Sequence, residues 1–152
     1  MNIDLIAGAR PNFMKIAPIV HAITKASNKG ENISFLHADA AKLSHHFKNK
    51  FDYSTTSYVI HEMPYEARLL VLKSMREICD EIIIGDYLVP QPKNKRGFSN
   101  RIAEFLAGKD HFTNYLNFAK HNGLYGLVET LGMEILQEKI GVHGTSHIIR
   151  IR

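Results

Sequence analysis

The feature that most constrains the fold is an uninterrupted apolar run, residues 81–85 (EIIIG), that follows directly on a helical pattern of apolar residues. Short runs of this kind are typical of a strand covered on both faces, as in the centre of a parallel sheet. The helical pattern spans residues 64–78, with Pro64 suited to its first turn. Residues 51–60, before it, are rich in aromatic and β-branched residues and predict another strand. Strand, helix and strand together predict a right-handed parallel crossover, and therefore an α/β fold.

Shorter patterns extend this sheet towards both ends of the chain. Residues 3–7 and 33–37 are apolar runs that predict strands, and residues 40–47 leave room for about two helical turns. Near the other end, residues 133–140 and 145–152 flank a glycine-containing turn and predict an antiparallel hairpin. The predicted architecture is a three-layer α/β sandwich whose mainly parallel sheet ends in an antiparallel hairpin.

The segment before the hairpin predicts a loop and two helices. Residues 87–98 contain prolines, a glycine and three basic residues, which is typical of a long exposed loop. Ser99 and Asp110 are suited to cap helices that end at Gly108 and Gly123. The aromatic-rich stripe of these two helices favours core packing over a ligand box. Its members are Ile102, Phe105, Leu106, Phe112, Tyr115, Leu116 and Phe118.

Composition limits the class of protein. The chain has 152 residues, 45% of them hydrophobic and 22% charged, which predicts a single domain over residues 1–152. Its 19 basic and 15 acidic residues give a net charge of +4, too small to indicate a nucleic-acid partner, and Lys93, Lys95 and Arg96 predict a solvated loop. Cys79 predicts a buried structural thiol. Because no apolar run suits a membrane span or a signal peptide, we expect a cytoplasmic protein with no membrane partner.

An ordered series of motifs from about residue 32 onward resembles one known family. NISFLHADAAKL places Asp39 and Ala40 after a predicted strand, FDYSTTSYVIHEMP places His61 after the next one, and EIIIGDYLVP and the hairpin follow in order. The series resembles the class I S-adenosylmethionine-dependent methyltransferases, whose fold is Rossmann-like. The resemblance implies that Asp39, beside Ala40, hydrogen-bonds the adenine amino group of the cofactor S-adenosylmethionine. It also implies that His61 lies beside the methyl donor, where it could deprotonate a hydroxyl or amine of a small-molecule substrate.

The first 25 residues depart from this resemblance. The family has a glycine-rich turn of the GxGxG kind here, whereas only Gly8 is present as a cofactor-binding glycine. IDLIAGARPNFMKIAPIVHAI instead resembles the first strand and helix of UDP-N-acetylglucosamine 2-epimerases, which implies that Arg10 and Lys15 contact a nucleotide sugar. A seven-strand, six-helix domain needs roughly 168 residues at average element lengths, so we expect one strand and one crossover to be missing. A fusion or internal deletion between Thr24 and Ile33 accounts for both observations.

Structural interpretations of the same residues stay open beside the functional ones. Asp39 can equally be a solvated residue or a helix cap, and His61 can simply end a strand before a helix. The closely spaced histidines at 45–46 and 143–147 do not have metal-ligand spacing, so no metal site is predicted. Three functions are therefore considered: an S-adenosylmethionine-dependent methyltransferase or a remnant of one, an epimerase-like fragment that binds a nucleotide sugar, and a noncatalytic α/β module.

The missing strand has two predicted consequences. Arg10 and Pro11 stand where the methionine part of the donor needs close approach of the backbone, so we expect a folded protein with weak donor affinity. We also expect an exposed sheet edge where the missing strand would pair, which a second copy of the chain could cover in a homo-oligomer.

Overall fold

The computed structural model describes the backbone of residues 3–6 together with residues 36 and 38–152. The predicted 33–37 strand lies outside these residues except for Leu36. Gly8, Arg10 and Lys15 lie outside them altogether, as does the stretch that would hold the junction. The epimerase-like interpretation and the missing crossover therefore stay predictions.

The described residues form one five-stranded sheet in the order β1-β2-β3-β5-β4. Its strands are β1 Ile3–Ile6, β2 Phe51–Ser57, β3 Cys79–Tyr87, β4 Ile135–Ile140 and β5 Ser146–Ile151. The pairs β1–β2 and β2–β3 are parallel, whereas β5 is antiparallel to both β3 and β4. The Rossmann-like α/β fold class and its terminal antiparallel hairpin are thus confirmed. The apolar run is central, as predicted, with a parallel neighbour on one side and an antiparallel one on the other.

Helices cross between these strands and pack against the sheet. The α-helices are α1 Tyr65–Ile78, α2 Lys95–Leu106, α3 Lys109–Lys120 and α4 Gly123–Thr130, and short 3-10 helices span Ala40–His45 and Ile60–Glu62. The predicted crossover helix is α1, which begins directly after Pro64 because the fixed φ of proline suits a helix start. Within residues 38–152, no helix has the length and apolar character needed to cross a membrane.

Two helix boundaries differ from those predicted. The side chain of Asn94 accepts hydrogen bonds from two backbone N–H groups of the first turn of α2 (3.1 and 3.0 Å). Because of this cap, α2 begins at Lys95 rather than after Ser99, and the exposed loop is shorter than predicted. Gly123 does not end a helix but begins α4, where its φ of +60° is easily adopted by glycine. The sequence pattern did not indicate α4.

The hydrophobic core lies between the helices and one face of the sheet. The sheet contributes Ile82 and Ile84 from β3 and Ile149 and Ile151 from β5, all buried. Burial of each such side chain stabilises the fold by about 1.5–3 kcal/mol. From α1 the buried apolar residues are Val71, Leu72, Met75 and Ile78. The helical pattern of residues 64–78 predicts that Leu70 lies on the buried face. It is exposed, because that face is centred between Val71 and Met75, about a third of a turn away.

The expectations for Cys79 and for the aromatic stripe have different outcomes. Cys79 is buried and its thiol donates to the backbone carbonyl of Met75 at 3.1 Å, which confirms a structural role. Tyr115 and Phe118 are buried in or beside the core, as predicted. The prediction is wrong for four others: α2 buries Glu104 and turns its three apolar residues of the stripe outward, and Leu116 of α3 is exposed as well. The exposed side chains are Ile102, Phe105, Leu106 and Leu116.

Candidate active site

Two neighbouring parallel strands bring a histidine and a carboxylate together at their carboxyl ends. Strand β2 ends at Ser57, and the chain turns through Tyr58, whose φ of +52° is left-handed, into the 3-10 helix Ile60–Glu62. This helix contains His61, while Asp86 is the penultimate residue of β3. The carboxyl ends of parallel strands are where open α/β sheets place their ligand sites.

The side chains of His61 and Asp86 form a tight buried pair. The Nδ1 atom of His61 lies 2.5 Å from Oδ1 of Asp86, and the side chains are 1% and 0% exposed. The backbone N–H of His61 donates to Oδ2 at 3.2 Å, and that of Tyr87 donates to Oδ1 at 2.7 Å. Both carboxylate oxygens therefore have donors, and the orientation of the imidazole ring is fixed from one side.

The opposite ring nitrogen, Nε2, faces further carboxylates. Among the described residues it has no hydrogen bond, although it is buried. An oxygen of Glu104 lies 3.6 Å away and one of Glu62 lies 3.9 Å away, distances at which they act on the ring through charge. The same Glu104 oxygen accepts a hydrogen bond from the Tyr87 hydroxyl at 2.9 Å. A buried, unbonded nitrogen in this setting is suited to exchange a proton with a ligand.

These neighbours change how His61 titrates. Burial by itself lowers the pKa of His61, but the hydrogen bond and charge of Asp86, together with the charge of Glu104, raise it to about 9. Burial and the same glutamate raise the pKa of Tyr87 above its ordinary value. His61 is thus protonated at neutral pH in this arrangement and becomes a free base as the pH approaches 9.

The turn that carries His61 is tied to α1 and α3 through its backbone. The buried guanidinium of Arg68 donates to the carbonyls of Ile60 and His61. The Asn114 side chain of α3 donates to the carbonyl of Glu62 at 2.7 Å. All three carbonyls of this 3-10 helix are therefore held by side chains, which fixes the backbone under the imidazole.

Aromatic rings surround His61, and a cavity lies beyond one of them. Ring centroids of Tyr87 and Tyr115 lie 4.7 and 6.5 Å from that of the imidazole. Tyr115 also lines a cavity of about 680 Å³, within the size range of small-molecule sites. Its other walls are largely apolar, with two basic side chains, Lys93 and Arg101.

The remaining predicted site residues lie elsewhere. Asp39 caps the 3-10 helix Ala40–His45, and its Oδ1 accepts from the backbone N–H of Ala41 at 3.0 Å. Its side chain is 61% exposed, which leaves acceptor capacity for a ligand. Ala40 is the half-buried first residue of that helix. The helix-cap interpretation is what the structure shows, and a role with adenine stays a prediction. In the part of the chain that the structure describes, no three His, Cys, Asp or Glu side chains are arranged so that they could hold a metal ion.

Sequence reasoning missed the partners of His61. Asp86 could have been found, because it directly follows the apolar run at the same sheet edge as His61. Glu104 and Arg68 gave no comparable signal, since their positions depend on how α2 and α1 dock.

Comparisons with known proteins identify the fold. No family model matches the chain, and no curated protein matches it in sequence. Among solved structures, it is similar to the mitomycin 7-O-methyltransferase MmcR (TM-score 0.61, 13% identity, 99% of this chain and 41% of that one). It is also similar to an O-methyltransferase family protein from Burkholderia thailandensis (TM-score 0.59, 12% identity, 99% and 42%). A third is OxaC in complex with SAH and oxaline (TM-score 0.56, 14% identity, 99% and 41%).

The chain therefore has a methyltransferase-like fold, and it spans about two fifths of the length of these structures. The likeness covers 99% of the chain in all three cases, and it supports the methyltransferase resemblance without supporting the epimerase one.

Proposed function

We propose that the protein catalyses S-adenosylmethionine-dependent methylation of a hydroxyl group on a small molecule, with His61 as the general base. The observation that carries this proposal is the buried His61–Asp86 pair at the carboxyl ends of two parallel strands, with Nε2 unbonded among the described residues. Two of the fold neighbours support it. MmcR is a mitomycin 7-O-methyltransferase, and the structure of OxaC contains SAH and oxaline.

The chain's own residues supply orientation and a place for the proton. The bound cofactor supplies an electrophilic methyl group on a positively charged sulfonium. Neutral His61 accepts the acceptor's hydroxyl proton at Nε2 while Asp86 holds the proton on Nδ1 and stabilises the resulting imidazolium. Glu104 and Glu62, near Nε2, strengthen the base through their charge. Burial around the pair keeps water away from this proton transfer.

Among the described residues, the surroundings of Asp39 fit a role in binding the adenine of the cofactor. Asp39 accepts from the backbone N–H of Ala41 with Oδ1, and its Oδ2 lies 4.0 Å from Nζ of Lys42 in an exposed ion pair, so an adenine amino group could still donate to it. Such a charged hydrogen bond stabilises binding by about 1.5–3 kcal/mol. The small molecule itself would occupy space near Tyr115, where the cavity of about 680 Å³ has room for a drug-sized ligand.

Isothermal titration with S-adenosylhomocysteine tests the cofactor. We expect weak, saturable binding that falls by about 10- to 100-fold in Asp39→Ala, from the loss of that hydrogen bond. Asp110→Ala, which removes an exposed carboxylate from the first turn of α3, is the matched control and should bind like the wild type. An absence of heat at millimolar S-adenosylhomocysteine refutes the proposal and favours a noncatalytic module. Saturable heat with UDP instead favours the nucleotide-sugar alternative at Arg10 and Lys15.

A second measurement tests the chemistry. Labelled S-adenosylmethionine and a set of small hydroxylated acceptors should give O-methylated product, at a rate that rises as the pH approaches about 9, the pKa of His61. A rate that falls over the same range contradicts a His61 base.

A further inference from the structure

Arg68 is a buried cation that the reaction chemistry above does not use. It lies in α1 and is 0% exposed. Arginine is almost never fully buried unless its charge is compensated. Within residues 38–152, no carboxylate lies at ion-pair distance from its guanidinium, so another arrangement must satisfy it.

The guanidinium is satisfied by four oxygen atoms of the protein. Nε donates to the carbonyl of Ile60 at 3.0 Å, and one terminal nitrogen donates to the carbonyls of His61 and Asn114 at 3.4 and 2.6 Å. The other terminal nitrogen donates to the side-chain oxygen of Asn117 at 2.9 Å. The guanidinium carbon also lies 5.3 Å from the centre of the Phe118 ring, a cation–π distance. One side chain thus ties the His61 turn to α3.

The charge of Arg68 belongs to the same buried cluster as His61. Burial is the largest effect on the pKa of Arg68 and lowers it to about 10, although the charge of Asp86 acts in the opposite direction. With His61 protonated, the innermost cluster holds two cations, Arg68 and His61, and two carboxylates, Asp86 and Glu104. Arg68 donates to the His61 carbonyl at 3.4 Å, so its positive charge lies beside the turn that carries the imidazole, and we expect the carboxylates to hold the His61 proton more strongly when Arg68 is removed. The other titratable groups around the ring are Tyr58, Glu62, Tyr87 and Tyr115.

We propose that Arg68 is a positioning residue for His61, which clamps the carbonyls of the 60–62 turn to α3 and supplies the positive charge that balances Asp86. The assignment rests on the proposed function for its catalytic meaning. Its two physical parts, the clamp and the charge, can be measured without any methyl transfer.

Three variants separate the clamp from the charge. Arg68→Lys keeps the charge but cannot bond all four oxygens, whereas Arg68→Gln removes the charge as well. Arg76→Gln is the matched control, because Arg76 lies two turns along the same helix, is exposed, and donates to one carbonyl, that of Leu131, at 3.2 Å.

NMR titration of the His61 imidazole in the full chain reads out the charge. We expect the midpoint to rise by about one pH unit in Arg68→Gln and to stay within about 0.3 unit of the wild type in Arg68→Lys and Arg76→Gln. A folded Arg68→Gln with an unchanged midpoint overturns the charge part of the proposal. If Arg68→Gln does not fold, Asn117→Asp decides, since it puts a carboxylate against the guanidinium and should raise the midpoint in the same direction.

Amide hydrogen exchange reads out the clamp. The backbone N–H groups of Glu62 and Met63 close the 3-10 helix by bonding to Val59 and Ile60. Their exchange should quicken about tenfold in Arg68→Lys, while amides of the β3–β5 ladder stay protected as in the wild type. Unchanged exchange in this turn refutes the clamp.

Methyl transfer then connects the two parts to function. If the proposed activity is present, Arg68→Lys should lower kcat at least fivefold and leave the KM for S-adenosylmethionine unchanged. A change in KM alone contradicts the positioning role. If no methyl transfer is detected in the wild type, the titration and exchange results still decide the clamp and the charge, so the two failures are distinguishable.

Discussion

Two buried histidine–carboxylate pairs lie side by side on the same sheet. Asp86 of the first pair and His147 of the second face each other across β3 and β5. In both pairs Nδ1 lies close to a carboxylate oxygen, at 2.5 Å from Asp86 for His61 and at 2.6 Å from Glu138 for His147. In both, Nε2 is buried without a hydrogen bond among the described residues.

The surroundings of the two pairs differ. Asp86 is fully buried, whereas Glu138 is 29% exposed and shares the same oxygen with the hydroxyl of Tyr125, which donates to it at 2.6 Å. Further carboxylates lie within 4 Å of Nε2 in His61, and the described residues place none there for His147. Two pairs of the same chemical type therefore differ in what their surroundings allow. One pair is surrounded by charge that suits proton transfer, and the other ties α4 to the terminal hairpin.

The largest expected difference concerns activity. His61→Gln should lower the kcat of methyl transfer by about 10²–10⁴-fold, the usual contribution of a general base. His147→Gln should leave kcat within about threefold, because its ring takes no part in the proposed proton transfer. Steady-state kinetics with labelled S-adenosylmethionine measures both, with unfolding midpoints as a check on folding. Equal losses in the two variants would show that the pairs are not functionally distinct.

Stability should separate the carboxylates. Asp86→Ala leaves buried His61 without its partner and removes three hydrogen bonds, so we expect a loss of about 3–5 kcal/mol in the free energy of unfolding. Glu138→Ala removes a partly exposed group and should cost about 1–2 kcal/mol. Urea denaturation at neutral pH measures both values. Asp86→Asn keeps the shape of the side chain and removes its charge, so its free energy of unfolding should lie between those of Asp86→Ala and the wild type.

How far the sequence predicts this arrangement depends on whether a feature is local or tertiary. The strand, helix and strand from Phe51 to Tyr87 follow from local periodicity. A continuous apolar run has to be buried, and an amphipathic helix has to pack its apolar face against other residues. The hairpin follows from its alternating pattern. The start of α2 did not follow, because the capping side chain of Asn94 competed with a loop interpretation based on prolines.

The same distinction holds for the site. His61 was predicted from the family resemblance, which rests on a local stretch of sequence, and in the structure it lies in the 3-10 helix that follows β2. Glu104 and Arg68 come from helices whose docking sets which side chain meets the imidazole, and single-sequence patterns do not encode that. The pair His147–Glu138 likewise depends on the register of the hairpin, in which the two residues stand on adjacent strands.

The pH dependence of stability should be opposite for the two pairs. The pKa of His61 is raised to about 9, above its unfolded value of about 6.5, so its contribution is complete below pH 6.5 and is lost as the pH rises towards 9. The loss should reach about 3 kcal/mol. Hydrogen bonds from Tyr125 and His147 lower the pKa of Glu138, so its contribution is present above about pH 4.3 and is lost as the pH falls.

Denaturation from about pH 2 to about pH 9.5 checks this contrast, because the Glu138 contribution is lost only below about pH 4.3. His61→Gln should flatten the alkaline side of the profile, and Glu138→Gln should flatten the acidic side. The reverse pattern would mean that His61 is not the source of the alkaline loss of stability and Glu138 is not the source of the acidic one.

The smallest effects concern the two tyrosine hydroxyls that reach these clusters. Tyr87→Phe removes the hydrogen bond to Glu104, in the buried cluster, and should cost about 1–2 kcal/mol in the free energy of unfolding. Tyr125→Phe removes the bond to partly exposed Glu138 and should cost about 0.5–1 kcal/mol.

A second readout identifies which cluster each hydroxyl belongs to. Because the Tyr87 hydroxyl shares the Glu104 oxygen that faces Nε2, its loss leaves more of that carboxylate's charge for His61, and the His61 titration midpoint should move upwards. Tyr125→Phe should leave that midpoint where it is, since its hydroxyl bonds only the second pair's carboxylate among the described residues. A shift of the His61 midpoint in Tyr125→Phe as large as that in Tyr87→Phe would mean that the two pairs titrate as one coupled network across β3 and β5, and that the separation of roles between them does not hold.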